Sequence, residues 1–419
     1  MSSRLAIDGG PMAVRTFTDA FDWPRLTEED EQAALEVLRR GTMSESDVTE
    51  AFETEFADWQ GRSFALGYNS GTAAMWGAMY GVGVGAGDEV IAPSVAWWSA
   101  VVPCMGLGAT PVFADIDPES LCLDPRSFAE RITDRTAAVV VIHNHGHPAD
   151  IDSILEIAAE HDVAVIEDVA HAPGGTYRGE RVGNFGDAAL FSFQSWKPLA
   201  AGEGGMLVTD GRDVFERAVA FSHYDRHEEL LTDPDLAAFA GIPFGGQRHT
   251  MHQVSAAVGR GQLARYDDQM AEIQRSMHYF WDQLADVPGI EAHRTDDAEA
   301  TMGGWFLPKG HYDPAELGDV PVERFAEAVR AEGSVCRPGD NEVLHVHPLF
   351  SDADIYGHGE PTRLANADRD VRESPDALPV AERVQERCMS VPWFRQYRPD
   401  VIDQHASAYR KVATNADRL

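Results

Sequence analysis

Lysine is nearly absent from this sequence: only Lys197, Lys309 and Lys411 occur, and the 34 basic residues face 69 acidic ones. The resulting net charge of −35 argues against nucleic acid as a partner, because phosphate contacts need clustered lysine and arginine. Acid excess with scarce lysine also suits a protein working in concentrated salt, where self-repulsion is screened over roughly 3 Å at about 1 M. The four cysteines (Cys104, Cys122, Cys336, Cys388) are scattered with no CxxC pair, so neither a disulfide framework nor a zinc ribbon is expected. No apolar run approaches membrane-spanning length, and no basic-then-apolar signal pattern opens the chain. A cytoplasmic protein without membrane contact is expected, and no internal repeat is visible.

What is present is an ordinary globular composition, 44% hydrophobic over 419 residues, enough for two or three domains. LTEEDEQAALEVLRRG reads as an amphipathic helix capped by Thr27 and ended by Gly41. VTEAFETEFADWQG follows with Val48, Phe52 and Phe56 on one face and Gly61 as its stop. SFALGYNSGTAAMWGAMYG reads as a strand turning at Tyr68 to Thr72 into a helix. The free N–H groups of that helix either hold a phosphate or are simply capped by Ser-Gly-Thr. DEVIAP and TPVFADI read as strands around a helix starting near Ser99, with Trp97 and Trp98 at a strand-to-helix junction. One indole belongs to the core, and the other can offer its face to a planar ring.

TAAVVVIHNHGHPADIDSILEIAAEHDVAVIED reads as a βαβ unit. Its loop carries His143, His145 and His147, which line a pocket in the reading preferred here over a metal site; His345 and His347 are read the same way. Residues 225–246 form a polar loop, either a flap or an interface arm. A long helix then leads into a C-terminal part where GGWFLPKG and GSVCRPG look like strands and PVERFAEAVRAEG and ALPVAERVQERC like helices. The expected division is a large domain over residues 1–265, N-terminal arm included, and a smaller α+β domain over residues 266–419 led in by the long helix.

The chain is organised around residues 166–205. HDVAVIED delivers Asp168 to one strand end, and DAALFSFQ stops just before Lys197, Pro198 and the GEGG turn. Two tips of a parallel sheet thus present an acid and an amine to one pocket. An amine attacks an aldehyde only when unprotonated, so such a lysine must be desolvated. Asp168 can pair with a protonated pyridine nitrogen. Read singly, Lys197 is also a snorkelling surface lysine and Asp168 a helix cap, but neither explains why they coincide.

These motifs, with NSGTAA, GVGAGDEVIAPS, PVFADIDP, VIEDVAHAPGGTYRG, VGNFGDAALFSFQSWKPLAAGEGGMLVT and LPVAERV, resemble the DegT/DnrJ/EryC1/StrS family of sugar and cyclitol aminotransferases along nearly the whole length. The resemblance implies an α/β fold of fold-type I, a mostly parallel sheet sandwiched by helices, and pyridoxal 5′-phosphate as cofactor. It implies Lys197 as the Schiff-base lysine and proton shuttle, Asp168 as the partner of the pyridine nitrogen, His171 against the ring and Trp97 stacked on it. Ser192, Gly71 and Thr72 fall at phosphate positions, with Ser70 and Gln194 counted as further cofactor-binding residues; no metal is implied. Where the family usually has asparagine in a GxNxRM stretch, this chain reads GGQRHTMHQ and places Arg248. That arginine either donates to the neighbouring subunit's phosphate, a charge-assisted contact, or marks a shifted loop. A homodimer with shared sites is implied.

The function implied is transfer of an amino group from glutamate or glutamine to a keto-sugar or keto-cyclitol. The SFQ opening of the lysine motif is similar to scyllo-inosose aminotransferases and aminohydroxybenzoate synthases. A dehydratase or aromatising synthase is the alternative, although dehydratases of the family carry histidine in place of the lysine. A catalytically silent complex partner is a third reading, which the intact Lys197 and Asp168 disfavour.

Overall fold

The computed structural model describes residues 4–16 and 19–419. The apolar runs become strands β1 (Phe64–Tyr68), β2 (Glu89–Pro93), β3 (Thr110–Ala114), β4 (Thr136–Ile142) and β5 (Ala164–Asp168). A short hairpin, β6 (Thr176–Tyr177) and β7 (Glu180–Arg181), precedes β8 (Ala188–Ser192) and β9 (Gly205–Thr209). The main sheet is seven-stranded in the order β1-β9-β8-β5-β4-β2-β3. Strand β9 runs antiparallel to both its neighbours, and the remaining pairings are parallel. Strands buried on both faces need no alternation of apolar and polar residues, which is why β4 reads as an unbroken apolar run.

Successive residues of β8 show how the two faces are filled. Ala188 and Leu190 join the core beneath helix Gly71–Gly81, with Ala74, Ala78 and Met79. Ala189 and Phe191 join the opposite core, with Phe52 and Phe56 of helix Asp47–Gln60 and Tyr266 of helix Gln253–Asp282. Phe52 and Phe56 are fully buried, each contributing roughly 1.5–3 kcal/mol by area transfer. Thr27 caps helix Glu28–Arg40 in a reciprocal box with Asp30, and Gly41 ends it at φ 72°, where a side chain would be strained.

A second sheet is formed by β10 (Ile290–Ala292), β11 (Lys309–Tyr312), β12 (Arg337–Pro338) and β13 (Cys388–Ser390), antiparallel in the order β10-β11-β13-β12. Its core includes Phe280, Trp305, Tyr312, Phe325 and Tyr409. The 30-residue helix Gln253–Asp282 serves both regions, giving Tyr266 and Met270 to one core and Met277 and Phe280 to the other. The N-terminal segment belongs to the second region: Leu5 lies in its core, and Glu332 binds the Ala6 and Ala13 N–H groups and Lys411.

Several sequence expectations change here. The stretch GGWFLPKG is a strand only from Lys309; before it, Trp305 (φ 52°) and Leu307 (φ 49°) take left-handed conformations. GSVCRPG yields just the two residues of β12. The helix expected near Ser99 is a 3-10 turn, Trp98–Ala100, followed by the short helix Val102–Gly106, with Pro103 in its first turn. Residues 225–246 contain short helical pieces, His227–Leu230 and Pro234–Ala237, rather than an unstructured loop. In each case local turn chemistry overrides an apolar or polar pattern too short to specify its own period.

Candidate active site

The C-terminal ends of the parallel strands gather the chemistry at one edge of the sheet, the position expected of ligands in open α/β sheets. β1 leads into helix Gly71–Gly81, β2 toward Trp97, β4 into the His143–His147 loop, β5 ends at Asp168, and β8 runs on to Lys197. Lys197 is fixed through its backbone: its N–H donates to the Gln194 carbonyl at 2.8 Å. The Trp23 indole N–H donates to its carbonyl at 2.8 Å. The amine itself makes no hydrogen bond among the described residues and lies 3.9 Å from the centre of the Phe306 ring. Burial lowers its pKa from the ordinary 10.5 to about 8, against an opposing pull from Asp168. A tenth or so of the amine is therefore unprotonated near pH 7, by the logarithmic relation of pKa to population.

Asp168 is 8% exposed. One of its oxygens accepts the Ala170 N–H at 2.9 Å, and the other takes no hydrogen bond among the described residues. Burial raises its pKa, while the Ala170 N–H and then Lys197 oppose that rise. His171 stands between the Phe306 ring at 4.7 Å and the His145 ring at 5.5 Å, its Nδ1 3.2 Å from Asn144 Oδ1. Burial, then Lys197 and His145, push its pKa well below the usual range, so the ring is neutral at pH 7.

At the head of helix Gly71–Gly81, Ser70 Oγ accepts the Ala73 N–H at 3.1 Å and the Ser70 carbonyl accepts that of Ala74. Ser70 caps the helix, and the N–H groups of Gly71 and Thr72, without an acceptor among the described residues, are of the kind that can receive an anion. Gly71 is required there because a Cβ would come within 2.8 Å of the Ser192 Cβ, so the helix start and the tip of β8 approach as only glycine permits. Gln194 turns its side-chain oxygen back onto the Trp196 N–H at 2.8 Å.

Two further residues were expected at the site, Trp97 and Arg248. Trp97 is 56% exposed, with its ring against Trp98 at 6.0 Å. Arg248 pairs with Asp225 at 3.3 Å and lies over the Tyr224 ring.

The histidine loop is absorbed by structure. His143 binds the buried Glu167 at 3.0 Å, and its Nδ1 accepts the Ala149 N–H. His145 holds Asp340 at 2.8 Å, and Lys309 donates to Gly339 O, to Ser390 Oγ and, at 3.5 Å, to Asp340. Among the described residues no group of three or more His, Cys, Asp or Glu side chains is placed to hold a metal ion. Sequence reading missed Phe306 and Trp23. Phe306 sits in a stretch patterned like a strand, and Trp23 lies far from the site in the chain; Trp-Pro before the first amphipathic helix was the available signal.

Comparison with known proteins agrees with this geometry. The sequence profile of the DegT/DnrJ/EryC1/StrS aminotransferase family matches residues 24–409. L-glutamine:scyllo-inosose aminotransferase of Streptomyces griseus is 33% identical, covering 99% of each chain. In structure, an aminotransferase from Psychrobacter cryohalolentis superposes with a TM-score of 0.83 at 25% identity, over 94% of this chain and 99% of its own. 3-Amino-5-hydroxybenzoic acid synthase gives 0.80 at 25% identity, over 96% and 100%. The chain belongs to the DegT/DnrJ/EryC1/StrS aminotransferase family and has its fold-type I α/β architecture. The family implies pyridoxal 5′-phosphate, and the residues present fit it. The start of helix Gly71–Gly81 offers free N–H groups to a phosphate, Asp168 offers an unpartnered oxygen to a ring nitrogen, and Lys197 offers an unbonded amine to an aldehyde. No helix of the described residues is long and apolar enough to cross a membrane.

Proposed function

We propose that this enzyme moves an amino group from L-glutamine to a keto-cyclitol of the inosose type, using pyridoxal 5′-phosphate. The observation that carries the reading is the pairing of an unbonded, partly deprotonated Lys197 amine with an acid at the neighbouring strand tip. When bound, the cofactor supplies the aldehyde that carries nitrogen between substrates and the ring that draws electrons from the reacting carbon. Lys197 supplies the amine that holds it and, once released, the base that takes and returns a proton. Asp168 would hold a proton at the ring nitrogen through the oxygen not used by Ala170. His171, neutral and buried, would lie against the ring, and the Trp97 indole would offer its face to it. Gly71, Thr72, Ser70, Ser192 and Gln194 form the phosphate side. Phe306 shields the amine from water on one side.

The greater identity to inosose aminotransferases supports transfer over an aromatising synthase. The division into a cofactor-binding unit of residues 1–265 and a smaller unit of residues 266–419 belongs to this reading. So does a cytoplasmic homodimer in which Arg248 leaves Asp225 to reach the partner's phosphate; exposed Phe239 and Ile242 beside that loop support an interface there. The test supplies purified protein with cofactor, scyllo-inosose and glutamine labelled with ¹⁵N at the α-amino group. Labelled aminocyclitol is expected. Its absence, with every keto-cyclitol and amino donor offered, overturns the reading.

A further inference from the structure

A cavity of about 610 Å³ lies where the second sheet meets the loops that follow β3 and β4, within the size range of small-molecule sites. Its walls take Asp117, Glu119 and Ser120 from the turn after β3, His147 from the turn after β4, Glu291 from β10 and His311 from β11. None of these side chains belongs to the group around Lys197. His293 backs the cavity between the wall residues Ala292 and Arg294. His145 stands between the two places, its ring 6.0 Å from that of His293 and 5.5 Å from that of His171.

Three histidines here have their hydrogens already placed. A carbonyl only accepts, so the ring N–H of His147 donates to Pro148 O at 2.7 Å, that of His293 to Ser120 O at 2.8 Å and that of His311 to Glu119 O at 3.0 Å. The rings are neighbours, those of His147 and His311 lying 5.2 and 5.4 Å from that of His293. Burial, the largest influence on each, holds all three below the ordinary value of 6.5. At pH 7 the second nitrogen of each is therefore a lone pair. His293 is 1% exposed, and its Nδ1 meets no donor among the described residues. The wall also carries a donor in the same condition: the indole N–H of Trp281, a residue 2% exposed, meets no acceptor among them. Buried polar atoms are ordinarily paired, and each exception asks for a partner.

The charge around these atoms is negative. Asp117, Glu119, Glu291 and Asp296 line the cavity against Arg294, which is itself held by Asp282 at 3.0 Å. Glu119, Glu291 and Asp296 are exposed, so a ligand reaches them from solvent. A lining of lone pairs and carboxylates suits a cation that brings its own N–H and O–H donors. A bare metal ion is the wrong cation, because no three His, Cys, Asp or Glu side chains among the described residues converge to hold one. A protonated polyamine also falls short, having no lone pair for the Trp281 N–H. A hydroxylated ammonium ion meets both needs: its nitrogen donates, and its hydroxyl oxygens donate and accept.

We propose that this cavity is a second binding site, for a hydroxylated organic ammonium ion of the chemical class that amino transfer to a keto-cyclitol produces. Its link to the product rests on the amino-transfer reading above; the chemistry of the cavity stands apart from that reading.

Calorimetric titration tests it, on protein loaded with cofactor and treated with borohydride so that no aldehyde remains to react with an amine. The probes are scyllo-inosamine, which is scyllo-inosose with an amine in place of its carbonyl, its neutral counterpart scyllo-inositol, spermidine and magnesium chloride. Glu119→Gln/Glu291→Gln keeps the size of two exposed side chains and removes their charge, and it should bind scyllo-inosamine about 10-fold less tightly than wild type does. His293→Phe, which removes the unpaired acceptor, should weaken binding as well; should that buried substitution fail to fold, the two exposed ones still decide. Wild type should bind scyllo-inositol at least about 10-fold less tightly than the amine. With no product added, the initial rate of amino transfer should be the same in wild type and in Glu119→Gln/Glu291→Gln. Equal binding of the amine and the neutral cyclitol, undiminished affinity in either folded variant, tighter binding of spermidine or magnesium, or a rate that falls with the affinity would each overturn the proposal. If the protein takes up no cofactor or moves no nitrogen, the parent reading fails instead, and the same titration on the protein as purified decides the cavity by itself.

Discussion

With three lysines in the chain, the surroundings of Lys197 and Lys309 can be set side by side. Lys309 is buried and Lys197 half-buried, and both lie near a carboxylate. Lys309, 4% exposed, spends its donors on Gly339 O, Ser390 Oγ and Asp340, and Asp340 is held in turn by His145. Lys197 spends none and rests on an aromatic face. A buried cation with all its donors satisfied ties elements together; one left unsatisfied is a cost the fold carries for chemistry. Lys411 is a further tether, reaching Glu332 and Pro11 O at the N-terminal segment.

The contrast breaks most visibly at Lys197. Lys197→Ala should lower amino transfer at least about a thousand-fold while leaving the unfolding midpoint unchanged, as single-turnover kinetics and calorimetry would show. Lys309→Met should do the reverse. Loss of the amine strands Asp340, and stability should fall by about 3–5 kcal/mol in denaturant titration, with the rate per folded molecule nearly kept. If Lys309→Met abolishes transfer in fully folded protein, the division of labour is wrong.

The two lysines also differ in what pH does around them. The folded-state pKa of Lys197 is about 8 against an ordinary 10.5, so between those values the unfolded chain binds the proton more readily. Wild type should therefore gain stability relative to Lys197→Met as pH rises through that window. At Asp340 burial opposes ionisation, but His145 and Lys309 outweigh it and hold the carboxyl far below its ordinary value of 3.8. Its contribution is present above that value and should be lost as pH falls below it. Asp340→Asn should flatten that acid limb of the stability curve. Smallest of all is the salt effect: with a net charge of −35, the thermal midpoint should rise between dilute buffer and molar potassium chloride, and a flat response would remove salt adaptation as the reason lysine is scarce.

Much of this was legible from residues alone. The apolar runs of β4 and β5 announced a parallel sheet, Thr27 and Gly41 bounded their helix, and Asp168 and Lys197 stood at strand ends where ligands gather. The irregular pieces were not. Phe306 comes to the amine through two left-handed residues, Trp305 and Leu307, in a stretch whose pattern suggests a strand. The His143–His147 loop looked like a pocket lining, but His143 and His145 are spent on Glu167 and Asp340, partners 24 and 195 positions away.

By itself, then, the sequence determined the family, the sheet and the strand-end placement of Asp168 and Lys197, because periodicity, turn residues and scarce lysine are local signals. Only the tertiary structure decided which buried charges are satisfied. Lys309 and Arg363 find acceptors for their donors, while the Lys197 amine finds none among the described residues, and that difference depends on where distant segments place their carbonyl and carboxylate oxygens.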